Sequence, residues 1–190
     1  MATLYENYIT GDDNNQAPRG AKWWAQTFTP ATAHTITSVK LLLERLGNPG
    51  TITVSIKATD INGHPTGDDL CVGTTDGNTL PTTPPEWREI TLGAGAILSV
   101  DVKYAIVVRD PTGDDANTAE WWDDSTSPSY TGGCLEYSLD SGASWTSYTG
   151  YDFLFEDWGE PLGGATPDWR DPLQRIASTQ KIISSPSKLI

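Results

Sequence analysis

Apolar and polar residues alternate without interruption from Thr51 to Thr59. Ile52, Val54, Ile56 and Ala58 point one way, and Thr53, Ser55, Lys57 and Thr59 the other. A period of two residues is the mark of a strand with one buried and one wet face. Upstream, Thr35 to Leu46 satisfies two periods: Val39, Leu41 and Leu43 suit a strand, whereas Val39, Leu42, Leu43 and Leu46 suit a helix. The β-branched start (Thr35, Ile36, Thr37, Val39) and the Gly47-Asn48-Pro49-Gly50 turn decide for a strand, joined to the next one as a hairpin.

Further strands are predicted at Ala25 to Thr29, Leu70 to Thr74, Trp87 to Leu92, Tyr104 to Arg109, Glu120 to Asp123, Leu135 to Leu139 and Tyr151 to Trp158. Turn residues separate nearly all of them: Asn62-Gly63-His64-Pro65, Asp76-Gly77-Asn78, Asp110-Pro111-Thr112-Gly113 and Asp140-Ser141-Gly142. Eight to ten short strands with almost no helix between them predict an all-β fold, an antiparallel jelly-roll-like β-sandwich. With 18 glycines, 13 prolines and 19% charged residues in 190, a coiled coil is excluded.

The chain changes character after Gly159, which sets a sandwich domain at 1–159 and an extended C-terminal arm at 160–190. The arm holds Pro161, Pro167, Pro172 and Pro186 and too few apolar residues to build a second core. Asp171-Pro172 is a start signal for one short helix through Ala177, with Leu173 and Ile176 on one side. Ile182, Ile183, Leu189 and Ile190 complete a set of apolar side chains that needs cover from the sandwich or from a neighbouring subunit. The arm carries four basic and three acidic residues, so the −13 total leaves −14 on the rest of the chain. A mildly basic arm on an acidic body suits docking onto an identical neighbour or another acidic protein surface.

Trp24-Ala25-Gln26-Thr27-Phe28-Thr29-Pro30, the turn at Asn48-Pro49-Gly50, Asn62-Gly63-His64-Pro65-Thr66-Gly67, Tyr104-Ala105-Ile106-Val107-Val108, Tyr137 to Trp145, and Asp152-Phe153-Leu154-Phe155-Glu156 up to Gly159 follow one another along the chain. In this order the segments resemble the choice-of-anchor type of β-sandwich domain. The resemblance covers residues 1–159 and leaves the arm aside. It implies a jelly-roll-like module for binding or display, of the kind found in prokaryotic surface proteins and phage-encoded proteins, without a shared catalytic site.

Charge and chemistry narrow the function. A net charge of −13 with no basic patch repels a phosphate backbone, so no nucleic-acid partner is expected. No run of some eighteen apolar residues is present to cross a bilayer. The first twenty residues carry acids and amides where a signal peptide needs a basic start and an apolar stretch. Either a leader has been removed or the protein takes another route. Cys71 and Cys134 are compatible with one disulfide worth about 4 kcal/mol or with two free thiols. The two histidines, His34 and His64, lie in no metal-protease spacing, and neither a Gly-x-Ser-x-Gly elbow nor a phosphate loop occurs. The chain is therefore not expected to be an enzyme and needs no cofactor.

Adjacent carboxylates make Asp114, Asp115, Asp123 and Asp124 the candidates for a structural Ca²⁺ ion, against the plainer reading of solvated loop acids. Eight tryptophans raise carbohydrate binding. Neighbours along a strand point to opposite faces, so one member of Trp23-Trp24 and one of Trp121-Trp122 must leave the core, for a subunit interface or for a sugar platform. The combination predicts a non-enzymatic virion protein, a phage capsid decoration or tail component that assembles with itself and other virion proteins through sandwich and arm. The alternative is a secreted or cell-surface carbohydrate-binding module.

Overall fold

A computed structural model of the chain describes residues 2–162. In chain order its strands are β1 (Thr3–Tyr8), β2 (Asn14–Gln16), β3 (Trp23–Phe28), β4 (His34–Leu46), β5 (Thr51–Thr59), β6 (Pro65–Asp76) and β7 (Glu86–Leu98). They continue as β8 (Tyr104–Arg109), β9 (Thr118–Asp124), β10 (Leu135–Ser138), β11 (Thr146–Tyr148), β12 (Asp152–Phe153) and β13 (Phe155–Pro161). Among the described residues the only helical piece is a 3-10 turn at Gly77–Thr79, capped by the Asp76 carboxylate.

Two antiparallel sheets pack as a sandwich, as the alternation of apolar positions predicts. The first is organised on β4, which pairs with β7 along one edge and with β13 and then β9 along the other. β1 and β2 extend it by pairing with β13 and β9. The second sheet runs β11-β10-β3-β8-β5-β6. Between them lie Trp121, Phe28, Phe153, Phe155, Ile36, Leu41, Leu43, Ile52 and Ile56, all fully buried. A side chain of this size contributes about 1.5–3 kcal/mol when withdrawn from water.

The expected hairpin at Gly47-Asn48-Pro49-Gly50 is instead a crossing between sheets. β4 already has both edges occupied, and β5 pairs with β6 and β8 across the sandwich. Gly47 and Gly50 adopt φ of 59° and 83°, and a Cβ on Gly47 would lie 2.1 Å from the Ala116 carbonyl oxygen. A hairpin and a crossing both need this left-handed turn chemistry, and the local residues do not distinguish them.

The strand expected at Tyr151 to Trp158 breaks at Leu154, whose N–H donates to the Trp122 carbonyl (3.0 Å). The second piece runs past Gly159 as far as Pro161, which faces His34. The sheet therefore ends two residues beyond the boundary expected from composition. The predicted short helix and the arm residues Leu173, Ile176, Ile182, Ile183, Leu189 and Ile190 lie outside the described residues. Both cysteines are free, and burial pushes the Cys71 thiol up to about 11.

One side of the sandwich is closed by β6 of the second sheet approaching β7 of the first. At Gly73 a Cβ would sit 2.0 Å from the Thr91 carbonyl oxygen. Backbone cannot yield there as a side-chain tip does, so Gly73→Ala should cost about 2–3 kcal/mol. Gly150→Ala, with nothing within 4 Å, should stay within about 0.5 kcal/mol. Urea denaturation midpoints of the two variants check the contrast.

Candidate functional site

Strand β8 is buried on both faces, which decides where concave surface forms. Its Ile106 and Val108 enter the main core, while Ala105 and Val107 join Ala25 in a second apolar cluster on the outer face of the second sheet. Trp23 and Trp145 pack over that cluster. The loops at 60–64 and 140–145 lie around it and leave a groove of about 580 Å³ between them.

The polar groups of this outer groove are committed to one another. Asp60 accepts the N–H groups of Asn62 (2.8 Å) and His64 (2.9 Å) and so shapes its own turn. His64 Nδ1 is 2.8 Å from an oxygen of Glu136, whose other oxygen accepts the Ser147 hydroxyl (2.5 Å). The Ser144 hydroxyl donates to Asp140 (2.6 Å), and this bond, with the Ser144 N–H and the Ser138 hydroxyl, holds the Asp140 carboxyl down to about 2. Lys57 is taken by the Gly67 carbonyl and Asp69, and the Trp145 indole N–H by the Gly142 carbonyl. A carboxylate on a histidine Nδ1 is the orienting half of a general-base arrangement. Among the described residues no hydroxyl or thiol is hydrogen-bonded to His64 Nε2.

A second cleft, about 370 Å³, is lined by Gln16, Lys22, Trp24, Leu135, Tyr137, Leu139, Tyr148 and Tyr151. Its aromatic rings form a chain: Trp24 to Tyr137 at 5.5 Å, Tyr137 to Tyr148 at 5.5 Å, Tyr148 to Tyr151 at 5.2 Å between centroids. Trp24 is the floor, 6% exposed and backed by Phe153, whereas Tyr148 (47%) and Leu139 (64%) form an open rim. The Lys22 ammonium lies 4.6 Å above the Trp24 ring. Burial and the neighbouring Arg19 charge lower its pKa. Behind the cleft, the Gln16 amide donates to Asp123 (3.5 Å). Apolar walls with a few convergent polar groups are the usual make-up of a small-ligand site.

Each tandem tryptophan pair splits as the pleat requires. Trp24 and Trp121 face the core, Trp121 stacked on Phe153 at 3.9 Å with its N–H on the Leu154 carbonyl (2.9 Å). Trp23 and Trp122 are the outward members and are half-buried. Arg109 lies over the Trp23 ring at 5.0 Å, and the Trp122 indole nitrogen is sealed from solvent.

The four candidate calcium ligands are not assembled into one site. Asp123 and Asp124 are not loop acids but buried residues of β9. Asp124 accepts the Tyr8 hydroxyl (2.6 Å) and the N–H groups of Thr126 and Ser127. Asp114 caps the turn at Ala116 and Asn117, and Asp115 pairs with Arg19 at 3.0 Å. Among the described residues no group of three or more His, Cys, Asp or Glu is arranged to hold a metal ion. His34 is also structural: fully buried, stacked on Tyr5 at 3.8 Å and 2.9 Å from Asp157.

Sequence reasoning missed Lys22, Gln16, Tyr137, Tyr148 and Tyr151 as site residues. The available signal was three tyrosines within fifteen residues of the late, turn-rich part of the sandwich, two of them on short strands. No protein-family model matches this chain, and no curated protein is significantly similar to it.

Burial pushes the Asp123 carboxyl up to about 6 although the Gln16 and Asn14 amides oppose the shift, and one of its oxygens has no partner. With the folded value above the ordinary 3.8, its contribution to stability is complete below about pH 4 and is lost as the pH rises through about 6. Asp123→Asn removes that loss. Its melting temperature should match wild type near pH 4 and exceed it by roughly 3–6 °C above pH 7, about 1–2 kcal/mol, in a scan of melting temperature against pH.

Proposed function

We propose that this chain is a non-enzymatic recognition module whose cleft of Trp24, Tyr137, Tyr148 and Tyr151 binds carbohydrate. The observation that carries the reading is the contrast between the two concavities. In the outer groove most polar side chains are hydrogen-bonded within the protein, and in the cleft the rings pack edge to face with Tyr148 and Leu139 exposed, while Lys22 makes no ion pair among the described residues. A pyranose offers a flat face of C–H groups to such rings and hydroxyls to the groups at the edge. The resemblance to choice-of-anchor domains supports a module for binding or display.

The second reading concerns where the module works. The division of charge between an acidic sandwich and a slightly basic segment at 160–190 favours a virion component, a capsid decoration or tail protein. The sandwich would then be tied to like copies and other virion proteins by that segment while presenting the cleft outward. A secreted or cell-surface module is the alternative location.

Glycan-array binding followed by titration calorimetry tests the cleft. Tyr148→Ala and Tyr151→Ala should each weaken sugar binding about 10-fold, the loss of one aromatic contact of ~1.4 kcal/mol. Wild-type affinity in both would place the ligand elsewhere. For the location, a chain ending at Leu162 keeps all of β13 and should stay folded while losing incorporation into particles. Undiminished incorporation would reject assembly through the C-terminal segment.

A further inference from the structure

We propose that the sugar taken by the cleft is anionic, with its carboxylate or sulfate held by Lys22. The inference rests on the cleft being a carbohydrate site and names the class of sugar. In a chain with 25 acidic and 12 basic residues, an ammonium group should readily find a carboxylate. Most cations of the sandwich do: Arg19 pairs with Asp115, Lys40 with Glu156, Lys57 and Arg109 with Asp69, and Arg88 with Glu86. Among the described residues Lys22 forms no ion pair, as Arg45 and Lys103 form none, and of these three it is the one that lines the cleft. Its charged neighbour is the like charge of Arg19, and its one attractive contact is the face of Trp24.

The placement is fixed by the backbone. Arg19 and Lys22 exchange two main-chain hydrogen bonds (3.0 and 2.9 Å) across a tight turn in which Gly20 takes φ of 53°. The Gly20 N–H is tied to the Asp110 carbonyl at 2.9 Å. The turn therefore holds a half-buried lysine at the edge of an aromatic cleft. A ligand seated there withdraws the Lys22 ammonium from water, which is costly, and an anionic ligand group is the partner that offsets the cost. A neutral sugar would leave that cost standing. On one ligand, a sugar ring seated on Tyr148 and Tyr151 and an acidic substituent directed at Lys22 use both features of the cleft.

The test compares acidic oligosaccharides with their neutral counterparts on the full chain. Oligogalacturonate is paired with its methyl ester, sialyllactose with lactose, hyaluronan oligomers with their methyl esters, and sulfated galactan oligomers with the desulfated form. The acidic member of at least one pair should bind ten times or more tightly than its counterpart at low salt. That advantage should shrink in 0.5 M NaCl through screening. Lys22→Gln should abolish it, and Lys22→Arg should retain most of it. Carboxylated members binding alone, or sulfated members binding alone, support the inference and identify the anion. Equal binding of acidic and neutral members, or an acidic preference that survives Lys22→Gln, overturns it while leaving the carbohydrate reading intact. Failure of every sugar to bind rejects both.

Discussion

Trp121 stacks on Phe153 and donates its indole hydrogen to the Leu154 carbonyl, while the Leu154 N–H is taken by Trp122. Buried backbone groups must be paired, and a strand that changes partners in the core has to hand its hydrogen bonds to something. Here β9 receives both. The exchange lets one stretch of chain serve β9 as β12 and β4 as β13, and so lets the first sheet widen without an open seam. It also fixes Phe153 against Trp24, and Trp24 is the floor of the cleft. The candidate site thus stands on the same contacts that close the core.

The second sheet manages its outer face differently. With Ala25, Ala105 and Val107 apolar on the outside of β3 and β8, a bare sheet would leave oily surface in water. Trp23 and Trp145 cover it, and the loops flanking them are stiffened by internal hydrogen bonds, the Asp60 and Asp140 turns above all. The larger groove is the by-product of that cover. Size alone would make it the leading site, yet its hydrogen-bonding capacity is largely consumed within the protein. The smaller cleft leaves the Tyr148 rim exposed and the Lys22 ammonium with only the Trp24 ring against it among the described residues, and free hydrogen-bonding capacity is what a ligand can use.

Charge follows a related division. Asp110, Asp123, Asp152 and Asp157 are buried, and burial raises all four carboxyls. They are tolerated because backbone N–H groups, amides and His34 supply partners, among them the Ala119 N–H to Asp110 and the Gln26 amide to Asp152. A fold that accommodates this many interior acids is not short of negative groups with which to neutralise a lysine. Among the described residues Lys22 forms no such pair, and its ammonium lies over the Trp24 ring at the cleft.

Much of the local structure was legible in the sequence: the alternation of Thr51–Thr59, the extent of Tyr104–Arg109, the strand expected at Thr35 to Leu46, which starts one residue earlier, and the splitting of Trp23-Trp24 and Trp121-Trp122 between faces. These depend on the pleat, whose period is set by each residue and its immediate neighbours. The short edge strands β1, β2 and β11 were not legible, because three to six mostly polar residues carry no alternation strong enough to read. The turn at Gly47–Gly50 was visible, but not that it passes between sheets. The acids Asp123 and Asp124 read as solvated because their partners Tyr8, Asn14 and Gln16 lie more than a hundred residues away in the chain. Tyr137, Tyr148 and Tyr151 likewise become a cleft only when β3 brings Trp24 beside β10. Sequence by itself determined which stretches are extended and which side of each is apolar. Only the tertiary structure decided which edges pair and which side chains meet, because those contacts are chosen by packing between segments far apart in the chain, where no local period reaches.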